Sequence, residues 1–99
     1  MMAAVEKIGL GYVNENTYHN ALHAGDVLHQ THMLTLKTNV VQIAAVEPIH
    51  HFSALFAAVI HDYKHPGFNN GYLVNTKDPI AIRYNDKAVL ENFHAAEAF

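Results

Sequence analysis

The stretch Ala57-Ala58-Val59-Ile60-His61-Asp62-Tyr63-Lys64-His65-Pro66-Gly67 constrains this chain more than any other. An apolar run delivers His61 and Asp62 side by side, and Pro66-Gly67 then breaks the backbone. Polar groups at the end of a buried helix must be hydrogen-bonded, paired or metal-bound to sit there at low cost. Imidazole suits zinc and other transition metals, and carboxylate suits zinc, magnesium and manganese. The doublet can therefore hold one metal and share a carboxylate oxygen with a second.

The rest of the chain predicts helices around this stretch. Residues 1–17 read as a poorly patterned lead-in, punctuated as turn or loop by Gly9, Gly11, Asn14 and Asn16. Thr17 is the expected N-cap of a helix from about Tyr18 to Leu36, with Ala24, Val27, Leu28, Thr31 and Leu34 as its packed stripe. His19 and His23, spaced i,i+4, then share a face, with Asp26 three further on. Val40 to Val46 is apolar and reads either as a short helix or as a buried connector. Glu47-Pro48 opens the next helix, with Pro in the first turn. Ile49, Phe52, Phe56, Val59 and Ile60 keep the helical period up to His61, with Phe52 and Phe56 assigned to the core.

Beyond Gly67, Asn69-Asn70-Gly71 is turn chemistry, and Tyr72-Leu73-Val74 fits a short helical turn. Asp78-Pro79 pairs an N-cap with Pro at the first helical position, opening a short helix through Arg83. Asp86 is the expected cap of a last helix, in which Glu91 and His94 share one face and Val89, Phe93 and Ala96 another. The reading is all-α, with polar groups directed inward to a shared site.

Three blocks carry a resemblance. They are Tyr18-His19-Asn20-Ala21-Leu22-His23-Ala24-Gly25-Asp26, the His61-Asp62 stretch, and Tyr84-Asn85-Asp86-Lys87-Ala88-Val89-Leu90-Glu91-Asn92. In this order they resemble the class I cyclic nucleotide phosphodiesterases of the HD metal-hydrolase group, from about Gly11 to Phe99. The resemblance implies that residues 1–99 are the N-terminal part of a multi-helix phosphodiesterase catalytic domain.

The chemistry follows. His23, His61 and Asp62 make three side-chain ligands, the count typical of catalytic zinc with water completing the site. Water on such an ion falls in pKa toward ~7, and paired ions in phosphatases and nucleases lie ~3.5–4 Å apart. His19, one turn before His23, is placed to protonate a leaving alkoxide. The resemblance adds that His19 is the acid for the departing 3′ oxygen. It makes the tighter metal zinc, and Asp62 the bridge to a second ion, usually magnesium, with manganese as an alternative. His65 and Glu91 match positions that bind water of the second metal, and Tyr18 and Asn70 match positions lining the substrate site. The implied reaction opens a 3′,5′-cyclic nucleotide to its 5′-monophosphate in signal transduction. His29, His32, His50 and His51 read as non-ligands.

Three positions depart from the family pattern without removing a ligand. Lys64 stands where an acid is common, and should point away from the metal. Phe93 stands where a His is common, and Thr17 where Pro often precedes Tyr-His-Asn. The family's second Asp ligand and its purine-binding Gln and Phe lie on later helices, beyond Phe99. The chain is thus expected to be inactive alone, needing the remainder of its catalytic domain. The alternative is a non-catalytic helical remnant that binds metal or a partner helix.

Composition agrees with a piece of a larger core. Hydrophobic residues are 51% of the chain and charged residues 15%, against a usual charged share of about 25%. A small domain exposes proportionally more surface and needs more charge to solvate it. Net charge is −3, which leaves no nucleic-acid footprint. No Cys is present, which excludes disulfides and thiolate metal sites. No stretch approaches the ~20 apolar residues of a membrane span, and residues 1–7 lack a signal-peptide layout. The chain reads as cytoplasmic.

Overall fold

The computed structural model describes residues 2–39 and 47–99. Among these residues it is helical, without strands. The elements are α1 (Met2–Leu10), α2 (Ala21–Lys37), α3 (Pro48–Ile60), α4 (Asn70–Asn75), α5 (Pro79–Arg83) and α6 (Val89–Ala98). The expectation for Val40 to Val46 lies outside the described residues.

The signals with definite turn chemistry hold. Pro48 sits in the first turn of α3, after Glu47 in extended conformation. The Asp78 side chain accepts from the Ile80 N–H ahead of Pro79 in α5. Asn69 accepts from the Tyr72 N–H and so starts α4 through Tyr72-Leu73-Val74. Each cap satisfies a backbone donor that the first helical turn leaves without a partner.

Three expectations are corrected. The lead-in is not a loop: α1 fills most of it, because Ile8 and Tyr12 are buried against α2 and α3 and tertiary burial outweighs the glycine signal. Thr17 does not cap α2. Asn20 does, with Oδ1 accepting from both Leu22 N–H and His23 N–H. The helix therefore begins three residues later than expected, and Tyr18 and His19 precede it in a bend. Asp86 does not cap α6. Ala88 precedes that helix in a left-handed conformation (φ 43°, ψ 51°) with no side-chain cap of its own.

The apolar stripes also divide differently from expectation. Ala24 and Ile60 are buried, and Phe56 and Val59 pack partly against that core. Ile49, Phe52 and Leu34 stand 61%, 51% and 60% exposed, so Phe52 is not a core residue here.

Two apolar clusters result. Ile8, Tyr12, Ala24, Ile60 and Tyr63 join α1, the α2–α3 pair and the segment after α3. Leu73, Ala81, Val89 and Leu90 join α4, α5 and α6. The turn after α3 runs between them.

Tyr12 anchors the first cluster. Its buried hydroxyl donates to the Val59 carbonyl at 2.8 Å, and burial pushes the phenol up to about 12, so it remains a donor. Tyr63 packs edge-on to it, with ring centroids 6.1 Å apart. Its ring lies against Gly11 so closely that a Cβ there would overlap the ring carbons and hydroxyl. Gly11→Ala must therefore displace a buried aromatic beside Asp62. The expected loss is about 1–3 kcal/mol, the usual cost of overpacking a core. It is measured as a lowered thermal midpoint by circular dichroism; an unchanged midpoint would contradict the close approach.

Candidate metal and catalytic site

α3 ends at Ile60, and His61 and Asp62 follow in the turn that leaves it. The His61 Nδ1–H donates to the Ala58 carbonyl at 2.8 Å, which leaves the Nε2 lone pair pointing outward. That atom lies 3.0 Å from Asp62 Oδ2 and 3.4 Å from His23 Nε2. His23 Nε2 is in turn 3.4 Å from the same Asp62 oxygen. His23 is presented by the first turn of α2, which the Asn20 cap sets in place.

Two imidazole nitrogens and a carboxylate oxygen at this spacing repel unless a cation or shared proton lies among them. Ligands about 2.0–2.1 Å from a tetrahedral zinc are themselves about 3.4 Å apart. The donor set and its spacing therefore fit a metal ion.

Asp62 has a second set of neighbours. His19, Asp62 and His65 each place a potential ligand atom within 4.8 Å of the others, as do His23, His61 and Asp62. Asp62 belongs to both groups and sits between them. The His19 and His65 rings stack at 3.9 Å with their planes 7° apart. His65 Nδ1 accepts the Gly67 N–H at 3.0 Å, which places the proton of neutral His65 on Nε2.

A cavity of about 710 Å³ opens on this side, lined by His19, His61, Asp62, His65, Asn70 and Glu91 among others. Asn70 is held firmly in its wall. Its Oδ1 accepts the Leu90 N–H at 2.9 Å, supplying the start of α6 with the cap that Ala88 lacks. Its Nδ2 donates to Glu91 Oε2 at 3.0 Å. The Glu91 backbone and then the Asn70 amide hold the Glu91 carboxyl below its usual range, so it is an anion at neutral pH.

Tyr18 lies outside this lining. It is exposed and packs on His23, with ring centroids 4.4 Å apart. Lys64 adopts a left-handed backbone (φ 57°), and its Nζ pairs with Glu97 of α6 at 2.7 Å instead of facing the cavity. His32 and His51 stack with each other across α2 and α3, also outside the lining.

The structure adds His94 to the lining of this cavity, beside Asp62. It is buried, and its Nδ1–H donates to the Tyr63 carbonyl at 2.7 Å. Its Nε2 faces Asp62 Oδ1 at 3.8 Å. The i,i+3 spacing from Glu91 was the available signal, but the tie to Tyr63 is long-range.

A family model described as 3′5′-cyclic nucleotide phosphodiesterase matches residues 18–99. The chain is 44% identical over 95 residues to the 3′,5′-cyclic-AMP phosphodiesterase 4 of Dictyostelium discoideum, covering 96% of this chain and 9% of that protein. It is 46% identical over 92 residues to the human high affinity cAMP-specific and IBMX-insensitive 3′,5′-cyclic phosphodiesterase 8A, covering 93% and 11%. Among solved structures it is similar to the phosphodiesterase domain of Salpingoeca rosetta rhodopsin phosphodiesterase. That match has a TM-score of 0.85 at 34% identity, and covers 98% of this chain and 28% of the other.

One consequence of the geometry is a pH dependence. His65 is pushed down from 6.5 to about 4, mainly by burial, with His19 adding and Asp62 opposing. The folded chain thus favours neutral His65, while the unfolded imidazole protonates near 6.5. The stability this provides is complete above that value and is lost as pH falls toward 4. In metal-free chain the thermal midpoint should drop across this window, and His65→Gln should flatten the drop. An equally steep fall in the variant would assign it to other groups.

Proposed function

Because this chain belongs to the 3′,5′-cyclic nucleotide phosphodiesterase family, a metal-dependent one, we propose that it is the metal-holding segment of a cyclic nucleotide phosphodiesterase catalytic domain. The complete domain hydrolyses a 3′,5′-cyclic phosphate diester to the 5′-monophosphate. The observation that carries this is the meeting of His23 Nε2, His61 Nε2 and Asp62 Oδ2 at 3.0–3.4 Å beside a cavity that His19, His65 and Glu91 also line.

His23, His61 and Asp62 would hold the tighter ion, and their two-nitrogen, one-oxygen set suits zinc. Asp62, which also belongs to the His19 and His65 group, would help hold a second ion, magnesium or manganese. When bound, the two ions supply positive charge for the phosphoryl oxygens and acidify the attacking water. His65 and Glu91 orient water on the cavity side. His19 donates the proton that the departing 3′ oxygen takes up. Asn70 fixes the wall near substrate through Leu90 and Glu91, and Tyr18 flanks His19 at the rim.

The isolated chain carries exposed apolar side chains, among them Leu10 at 81%, Leu22 at 76% and Ile82 at 63%. Such surface normally lies against further protein. The chain spans 28% of the solved domain it resembles. Turnover therefore requires the remainder of a catalytic domain.

The test is a hybrid in which these 99 residues replace the matching segment of the Salpingoeca rosetta domain. The hybrid should hydrolyse cyclic nucleotide, and the 99 residues alone should not exceed a metal-only control. His61→Ala and Asp62→Ala should remove zinc and turnover together. His19→Ala should lower kcat by about 10²–10⁴-fold, the usual worth of a general acid, with zinc retained. Full zinc content in Asp62→Ala would overturn the ligand assignment. A hybrid that binds zinc but never turns over would favour a non-catalytic metal-binding helical unit.

A further inference from the structure

We infer that Asn16 is a positioning residue: its side-chain amide clamps the bend bearing His19 to the loop bearing His65, and so sets where the His19 ring meets the metal cradle. This rests on the reading of His19 as the proton donor.

Both Asn16 Nδ2 hydrogens are used, one on each side of the site. One goes to the His19 carbonyl at 3.1 Å and the other to the His65 carbonyl at 2.8 Å. The Asn16 carbonyl accepts from Asn20 Nδ2 at 2.9 Å, while Asn20 Oδ1 caps α2 below His23. One chain of amides thus runs from the His65 loop through the His19 bend to the helix that presents His23.

His19 needs such a device. It lies before the first turn of α2, so no helical hydrogen-bond ladder fixes it. Its ring nevertheless stacks almost parallel on His65. Backbone ties on both partners, from one rigid planar amide, account for that registry.

Gly67 supplies independent support. Its φ of +88° is unfavourable for any residue with a side chain, and a Cβ there would lie 2.8 Å from Asn16 Oδ1. The loop therefore leaves room for the Asn16 amide at close range. The same Gly67 donates its N–H to His65 Nδ1, so the ring and the clamp are seated on one turn.

The experiment uses Asn16→Asp, which keeps the shape, removes both donors and turns a carboxylate toward two carbonyl oxygens. In the hybrid domain, kcat should fall about 10–100-fold, the range typical when a supporting partner is lost, with KM and zinc content unchanged. In the 99-residue chain, the ring-current shift that His65 imposes on the His19 ring protons should disappear from the NMR spectrum. Asn16→Ala, which adds no charge, should give the same two results. Gly67→Ala should be less damaging in the Asn16→Ala background than in the parent, because the amide it would strike is gone. A variant that keeps both kcat and the ring-current shift overturns the clamp, as does a loss of kcat matched by loss of zinc. If the parent hybrid shows no turnover, the phosphodiesterase reading fails, while the NMR comparison still decides whether Asn16 registers the rings.

Discussion

The rest of the structure depends on the meeting of three potential ligand atoms. The Nε2 atoms of His23 and His61 and one oxygen of Asp62 crowd within 3.4 Å. Such a meeting needs a proton or a cation among the three atoms. The fold enforces it by fixing the far side of each group: the Ala58 carbonyl holds His61, the α2 cap holds the turn under His23, and buried Tyr63 holds the backbone next to Asp62. The three atoms are preorganised by backbone ties on the far side of each group. Outer partners of this kind orient metal ligands and tune their basicity.

The surroundings extend the same logic outward. His94 bonds to the Tyr63 carbonyl, Lys64 to Glu97, and Asn70 to Leu90 and Glu91. These contacts draw α6 against the turn that follows α3. Asp62 is thus flanked on one side by groups of α2 and on the other by groups set by α6. A carboxylate with different neighbours at each oxygen is suited to serve two charges at once.

Much of this was legible in the residues, for identifiable reasons. Proline and Asp at Glu47-Pro48 and Asp78-Pro79 act locally, so those helix starts follow from chemistry within a few positions. The blocks around His23, His61 and Glu91 fall together in space, and His19, His65 and Asn70 open on the same cavity. What was not legible depends on distant contacts. α1 forms because Ile8 and Tyr12 find a core, despite Gly9 and Gly11. Thr17 and Asn20 are both plausible caps in isolation, and Asn20 prevails because its other end is held by Asn16. α6 starts after Ala88 because the cap arrives from Asn70, across the chain, which no local pattern near Asp86 announces. His94 and Asn16 act through the carbonyls of Tyr63 and His65, and a carbonyl has no letter of its own in a sequence.

The division of the interior into two apolar clusters has a consequence for cooperativity. Ile8, Tyr12, Ala24, Ile60 and Tyr63 form one body, and Leu73, Ala81, Val89 and Leu90 the other. His94 and Glu97 of α6 tie the second body to Tyr63 and Lys64 of the first, and Asp62, His65, His94 and Glu91 line one cavity at that junction. Segments with separate cores can open separately, each with its own free energy. An ion bound at that junction would make opening of either half work against its binding. Occupancy of the site would then govern whether the two halves behave as one folding unit or as two.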